Sequence, residues 1–251
     1  MMTATAQVAP TAKYSAYSAE VATKLAGTLS ARERRRLEAE RELPEQARFI
    51  ELGDVVHHYL DAGPADGEPI VLVHSLGGSA YWWHRIIGPL AGAGHRVICY
   101  DLKGHGFSDS DPRRGYTVAA LSDDLLALAE ALALPAHHLA AFSLGGFVAL
   151  HYADAHPERV RSLALFNFSP LTERRAAAHV PRMIELTINR LLGPAARRGL
   201  WWLPYLYALA FLAKNTAPAS DARLAALGLR CCDPAAVRVA ARDLARREVR
   251  E

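Results

Sequence analysis

Ser143 stands in the run Ala141-Phe142-Ser143-Leu144-Gly145-Gly146, where an apolar stretch ends and a helical one begins. A serine held on a sharp strand-to-helix turn projects its hydroxyl above the sheet, beside the unpaired amides and positive dipole end of the helix. That placement suits nucleophilic attack on a carbonyl. The turn needs small residues on either side, and Ala141 and Gly145 supply them, while Gly146 and Ala149 let the helix lie close to the sheet. Taken alone, the run fits an ordinary strand-to-helix turn equally well, because alanine stands at 141 where the nucleophile turn usually has glycine. A second run, His74-Ser75-Leu76-Gly77-Gly78, also follows an apolar strand and can present backbone amides. An oxyanion needs two such donors; the Leu144 amide is one, and the amide of Leu76 or of Ser75 is the other. The third run, Asp101-Leu102-Lys103-Gly104-His105-Gly106-Phe107-Ser108-Asp109, starts with an aspartate that reads as a turn-former accepting local amide hydrogen bonds, not as a catalytic acid.

These runs need a rigid sheet behind them. Arg48–Leu52 and Val55–Leu60 are strand-like and joined at Gly53-Asp54, which reads as a hairpin. Ile70–His74, Arg96–Asp101, Leu139–Phe142 and Ser162–Asn167 are short apolar runs of the kind buried in a parallel sheet. Helical stretches around Tyr81–Leu90, Thr117–Leu134 and Leu144–Ala155 separate them, the second with Thr117 as N-cap and Pro135 past its end. The fold class is therefore α/β: a mostly parallel sheet with helices on both faces, preceded by an antiparallel hairpin. Residues 1–47 read as a helical extension, with helix over 14–43 and a capping signal at Ser30 and Glu33. Residues 48–169 read as the core. Residues 170–251 read as a helical cap region with breaks at Pro181, Gly193-Pro194, Pro204 and Pro218, ending in an amphipathic helix over Ala235–Val249.

The composition excludes several classes. With 51% hydrophobic and 22% charged residues, the chain can bury a core and is not disordered in bulk. Its 29 basic and 26 acidic side chains balance too closely to argue for a nucleic-acid partner. The charged run Arg32–Glu38 alternates in sign and reads as a solvated helix face. The most lipophilic stretch, Leu200–Ala213, holds 14 residues and a proline, and is too short to insert stably in a membrane. Its aromatics fit core packing or, if they line a pocket, an apolar substrate. Cys99, Cys231 and Cys232 match no disulfide or metal spacing, and no secretory leader is visible, which points to the cytoplasm.

In this order and spacing, the three runs, the preceding hairpin, the downstream pair Trp82-Trp83 and the later His156-Pro157-Glu158-Arg159-Val160 together resemble the serine-nucleophile branch of the α/β-hydrolase fold family. The likeness covers Arg48 to Asn167. It implies Ser143 as nucleophile and Leu76 and Leu144 as oxyanion amides; Ser75, Trp82 and Trp83 are candidates for the substrate side, the two tryptophans also fitting packing beside the oxyanion loop. It implies a helical cap over the site, a small acyl substrate and no cofactor or metal. A serine at 143 argues against the dehalogenase and epoxide-hydrolase branches, which carry aspartate there. Ester, lactone, thioester and vinylogous carbon–carbon hydrolysis all stay open.

The same resemblance exposes a gap. The family orders its catalytic residues nucleophile, acid, histidine. After Ser143 the only histidines are His151, His156 and His179, and none occurs from 180 to 251. The acid and base of the triad are thus unassigned, and the last strands of the resembling fold are expected to be missing. A catalytically inactive binding or regulatory protein on the same fold is the alternative.

Overall fold

Two short strands joined by a two-residue turn make the first hairpin. β1 (Arg48–Leu52) pairs antiparallel with β2 (Val55–Ala62), closing at Leu52 and Val55, and Gly53 supplies the positive φ (65°) that so short a turn requires. The computed structural model describes residues 8–31, 47–166, 174–198, 200 and 227–246. Four further strands complete the sheet: β3 (Pro69–Val73), β4 (Arg96–Tyr100), β5 (His137–Phe142) and β6 (Val160–Phe166). Their spatial order is β1-β2-β4-β3-β5-β6, with β2–β4 antiparallel and the β4–β3–β5–β6 block parallel.

The apolar runs of β3 and β4 are continuous because both faces are covered. Val71, Val73, Ile98 and Tyr100 pack on one side with α3 (Val118–Ala131) and α4 (Leu144–Ala155). Ile70, Leu72, Val97 and Cys99 pack on the other with a 3₁₀ turn (Ala80–Trp83), α2 (His84–Gly92) and the rings of α1 (Ala12–Ala26). Thr117 does cap α3, its hydroxyl accepting from the Ala120 amide at 3.2 Å. Beyond β6 come α5 (Arg174–Thr187), a π turn (Ile188–Leu192), α6 (Gly193–Arg197), a helical turn at 227–231 and α7 (Pro234–Arg246). No helix among the described residues is long and apolar enough to cross a membrane.

Two expectations need correction. The N-terminal helix does not run through 14–43: Thr11 caps it, it ends at Ala26, and Gly27 follows in extended backbone. Pro181 does not end a helix but lies inside α5, where packing against α7 outweighs the hydrogen bond its ring removes. The run Arg32–Glu38 and nearly all of Leu200–Ala213 lie outside the described residues.

Among the described residues β6 forms an edge of the sheet, its burial alternates only between half-buried and exposed, and Phe166 is 47% exposed. An apolar, unpaired edge invites pairing between chains. We expect the 251-residue chain to sediment as species above 27.3 kDa as its concentration rises. Ala164→Lys should shift that distribution back toward monomer; a monomer at all concentrations would contradict the expectation.

Candidate active site

Ser143 joins β5 to α4 with φ 52° and ψ −113°, a combination that non-glycine residues rarely adopt. Such backbone costs about 1–3 kcal/mol and persists only where its surroundings dictate it. Here the Ser143 amide donates to the Phe166 carbonyl at 3.2 Å, and its own carbonyl accepts from the Gly146 amide at 2.8 Å. The hydroxyl makes no capping bond to α4, and the residue is half-buried. The serine sits at a strained junction with its side chain unspent on the helix.

Gly145 explains how α4 reaches the second loop. A Cβ there would lie 2.6 Å from the Val73 carbonyl oxygen and 2.7 Å from that of His74. Only a glycine lets the first turn of α4 approach the end of β3, where the run His74–Gly78 begins. Gly145→Ala should therefore push the helix off the sheet, with an expected loss of about 2–4 kcal/mol by analogy with other strained-backbone and overpacking changes. Thermal melting checks it, and an unchanged midpoint would mean the approach is slack.

The loop after β3 is held from both ends. His74 is fully buried, and burial, partly countered by Asp101 nearby, pulls its pKa below the usual histidine range. Its Nε2 accepts from the Leu102 amide at 3.0 Å, so Nδ1 carries the proton and donates to the Ser75 carbonyl at 2.8 Å. That carbonyl also accepts from the Gly78 amide at 2.9 Å, with Gly77 at φ 72° between them. Ser75 and Leu76 are half-buried, and Leu76 packs both on the sheet core and against Ile188, Cys232 and Val237.

Asp101 fixes the far end of the same loop. Its Oδ1 accepts from the Ala80 amide at 2.6 Å, and its Oδ2 from the Phe107 amide at 2.7 Å. His58 Nδ1 lies 2.7 Å from the same Oδ2, with both side chains fully buried. Burial alone would raise the carboxyl's pKa, but His58, His74 and the Ala80 amide together bring it below the ordinary value. Gly106 makes room, since a Cβ there would lie 2.1 Å from the carboxylate. The local acceptor role expected of Asp101 is present, and the ties to His58 and Ala80 extend it across the sheet.

Trp82 lies against the ring of Phe142, the residue before Ser143, at 5.5 Å between centroids. Trp83 is buried, its ring 6.0 Å from that of Phe166, and its Nε1 has no partner among the described residues. His151 and His156 lie about 12 Å and about 20 Å beyond Ser143 along α4, at about 1.5 Å per residue. His156 packs on Tyr152, and His179 is exposed on α5. Upstream, His105 is fully buried and lowered to about 3, chiefly by desolvation and by His74, which makes it too weak a base for this task. Burial also pushes the Cys231 thiol up to about 11, away from a reactive thiolate. No group of three or more His, Cys, Asp or Glu among the described residues could hold a metal ion.

The model of the alpha/beta hydrolase fold matches residues 68–227. "Putative carbamate hydrolase RutD" of Variovorax paradoxus is 37% identical over 165 residues, 65% of this chain and 60% of that protein. A haloalkane dehalogenase of Mycolicibacterium paratuberculosis is 38% identical over 120 residues, 47% of this chain and 40% of that protein. Among solved structures, one from work on carboxylesterases of Nitrososphaera gargenis superposes with a TM-score of 0.63 at 27% identity, covering 78% of this chain and 71% of that one. The matched region spans 60% or less of these two relatives' lengths. The match over 68–227 contains β3, the loop after it, Asp101 and the Ser143 turn, and the chain belongs to the α/β-hydrolase fold family.

Proposed function

We propose that the chain carries the nucleophile and the oxyanion site of a serine hydrolase acting on an ester, lactone or related acyl compound. The strained backbone of Ser143 carries this reading: a positive φ at a serine between strand and helix is stable only if surrounding structure enforces it, and it leaves the hydroxyl outside the helix. The Ser143 hydroxyl attacks the acyl carbon. The Leu144 and Leu76 amides donate to the oxygen that gains charge, the hydroxyl proton passes to the leaving group as its bond to the acyl carbon breaks, and water cleaves the acyl-serine to the carboxylic acid and free Ser143. Tight contact of Gly145 with the His74 carbonyl supports the approach of those two amides. Ser75 and Trp82 flank the acyl group, Trp82 through its contact with Phe142, while Trp83 supports this wall from the core.

Serine at 143 favours acyl chemistry over the dehalogenation for which one relative is named. The proton acceptor and its acid are assigned to no residue. A small, apolar acyl substrate and a cytoplasmic setting complete the proposal; residues 48–169 would be the catalytic core and 170–251 its cap. Mapping the adduct of a fluorophosphonate probe tests the nucleophile: modification confined to Ser143 supports it, and modification elsewhere overturns it.

A further inference from the structure

The segment that lies on the oxyanion loop is tied down by a helix outside the matched family region. Gly228 packs so closely on Gly77-Gly78 that a Cβ there would lie 3.0 Å from the Gly78 carbonyl carbon and 3.1 Å from its oxygen. The Ile188 and Leu229 side chains meet Gly77 from the same side, where a Cβ would lie 3.0 and 3.1 Å from them. Whatever holds 227–231 in place therefore limits how far Leu76, Gly77 and Gly78 can move.

One hold is α1. The Thr11 hydroxyl donates to the Phe107 carbonyl at 2.6 Å, and Lys13 Nζ donates to the Ser108 carbonyl at 2.7 Å. The Tyr14 ring lies against Phe49 and Phe107 at 5.1 and 5.3 Å, and Tyr17 against Phe107 at 5.3 Å. Two turns on, Glu20 accepts from both terminal nitrogens of Arg230, a fork-on-carboxylate pair. The Arg230 guanidinium, with Lys24 Nζ on the same carboxylate, brings the Glu20 carboxyl down to about 2 against the opposing effect of burial, so the pair stays charged over the physiological range. On its other flank the segment is anchored by the Asp233 amide, which donates to the Gly104 carbonyl at 2.7 Å.

We propose that α1 is a strap, and that Glu20 and Arg230 are positioning residues which hold 227–231 down on Gly77-Gly78 and so fix the oxyanion amides. The inference rests on the serine-hydrolase reading for its purpose, though not for its geometry. Neither residue touches a reacting atom.

Amide hydrogen exchange on the full chain reads the strap directly. Exposed ion pairs contribute little and a bidentate one more, so Arg230→Gln or Glu20→Gln should speed exchange about threefold to fivefold at 227–231 and at Gly77-Gly78. The charge-reversed pair Glu20→Arg with Arg230→Glu should return both segments to within about twofold of the parent, a rescue that loss of packing alone would not give. The rate of fluorophosphonate labelling at Ser143 should fall and recover with the loop. Faster exchange at 227–231 with an unmoved loop would overturn the proposal, as would failure of the reversed pair to restore it. If exchange follows the pair while no variant labels, the strap stands and the hydrolase reading falls; if labelling proceeds and exchange ignores the pair, the strap falls alone.

Discussion

A fluorophosphonate should label this chain at Ser143 slowly, and Ser143→Ala should abolish the label. Slowness is expected because no residue is assigned as the base. A serine hydroxyl is a weak nucleophile until a positioned histidine takes its proton, and loss of that histidine in a serine-protease triad costs about 10⁶-fold in kcat. Binding and oxyanion amides alone retain about 10³–10⁴-fold over water. Labelling over days, reaching one probe per chain and lost in Ser143→Ala, is therefore the expected pattern. Completion within seconds would show that a base does act in this chain. His179 folding back from α5 would then be the first to test, through His179→Ala. No labelling after prolonged incubation would favour the inactive binding protein. The measurement is intact mass against time, and it discriminates because the oxyanion site and the base contribute separately to the rate.

The parts legible in the sequence were those governed by local rules. β3 and β4 stood out because burial on both faces demands unbroken apolar runs, and the Ser143 turn because positive φ demands small neighbours at 141 and 145. Asp101 could be recognised as an acceptor because one of its donors, the Phe107 amide, is only six residues away. Its other partners could not. His58 lies on β2, separated by 43 residues, and Ala80 is reached only after the chain folds back across the sheet. His57, Lys103 and Asp124 form a second buried polar group of the same kind, with Lys103 Nζ 3.0 Å from an Asp124 carboxylate oxygen. Buried charge ladders depend on strand order, and strand order is not written in any one segment. The strap is not legible for the same reason: Tyr14, Tyr17 and Glu20 look like ordinary helix positions until Phe107 and Arg230 are beside them. The stop at Gly27 was missed because the charge pairs beyond it keep a helical spacing.

Asp101→Ala should be among the most damaging substitutions in the chain, although no chemical role is proposed for Asp101. Its carboxylate satisfies the Ala80 amide, the Phe107 amide and His58 at once, inside a region with no access to water. Removing it strands three buried donors at about 1–3 kcal/mol each, so a loss of about 3–5 kcal/mol is expected. At about 2–4 °C per kcal/mol for a chain of this size, the melting midpoint should drop by roughly 10–15 °C. Asp101→Asn keeps the shape but turns an N–H₂ toward a donor, so it should recover only part of the loss. The pH dependence has a definite sign. Because the folded carboxyl titrates below its ordinary 3.8, its stabilisation is complete above that value and is lost as pH falls through the lower folded one. The parent should therefore weaken below about pH 4, and Asp101→Asn should weaken less over the same window. Differential scanning calorimetry at pH 7 and pH 3.5 measures both effects. Since the Ala80 amide ends the loop that presents Leu76, labelling at Ser143 should also slow in Asp101→Asn at a temperature where that variant is still folded. Melting within about 2 °C of the parent for Asp101→Ala, where a loss near 10 °C is expected, would mean that β4 and its loop hold the loop after β3 without this carboxylate.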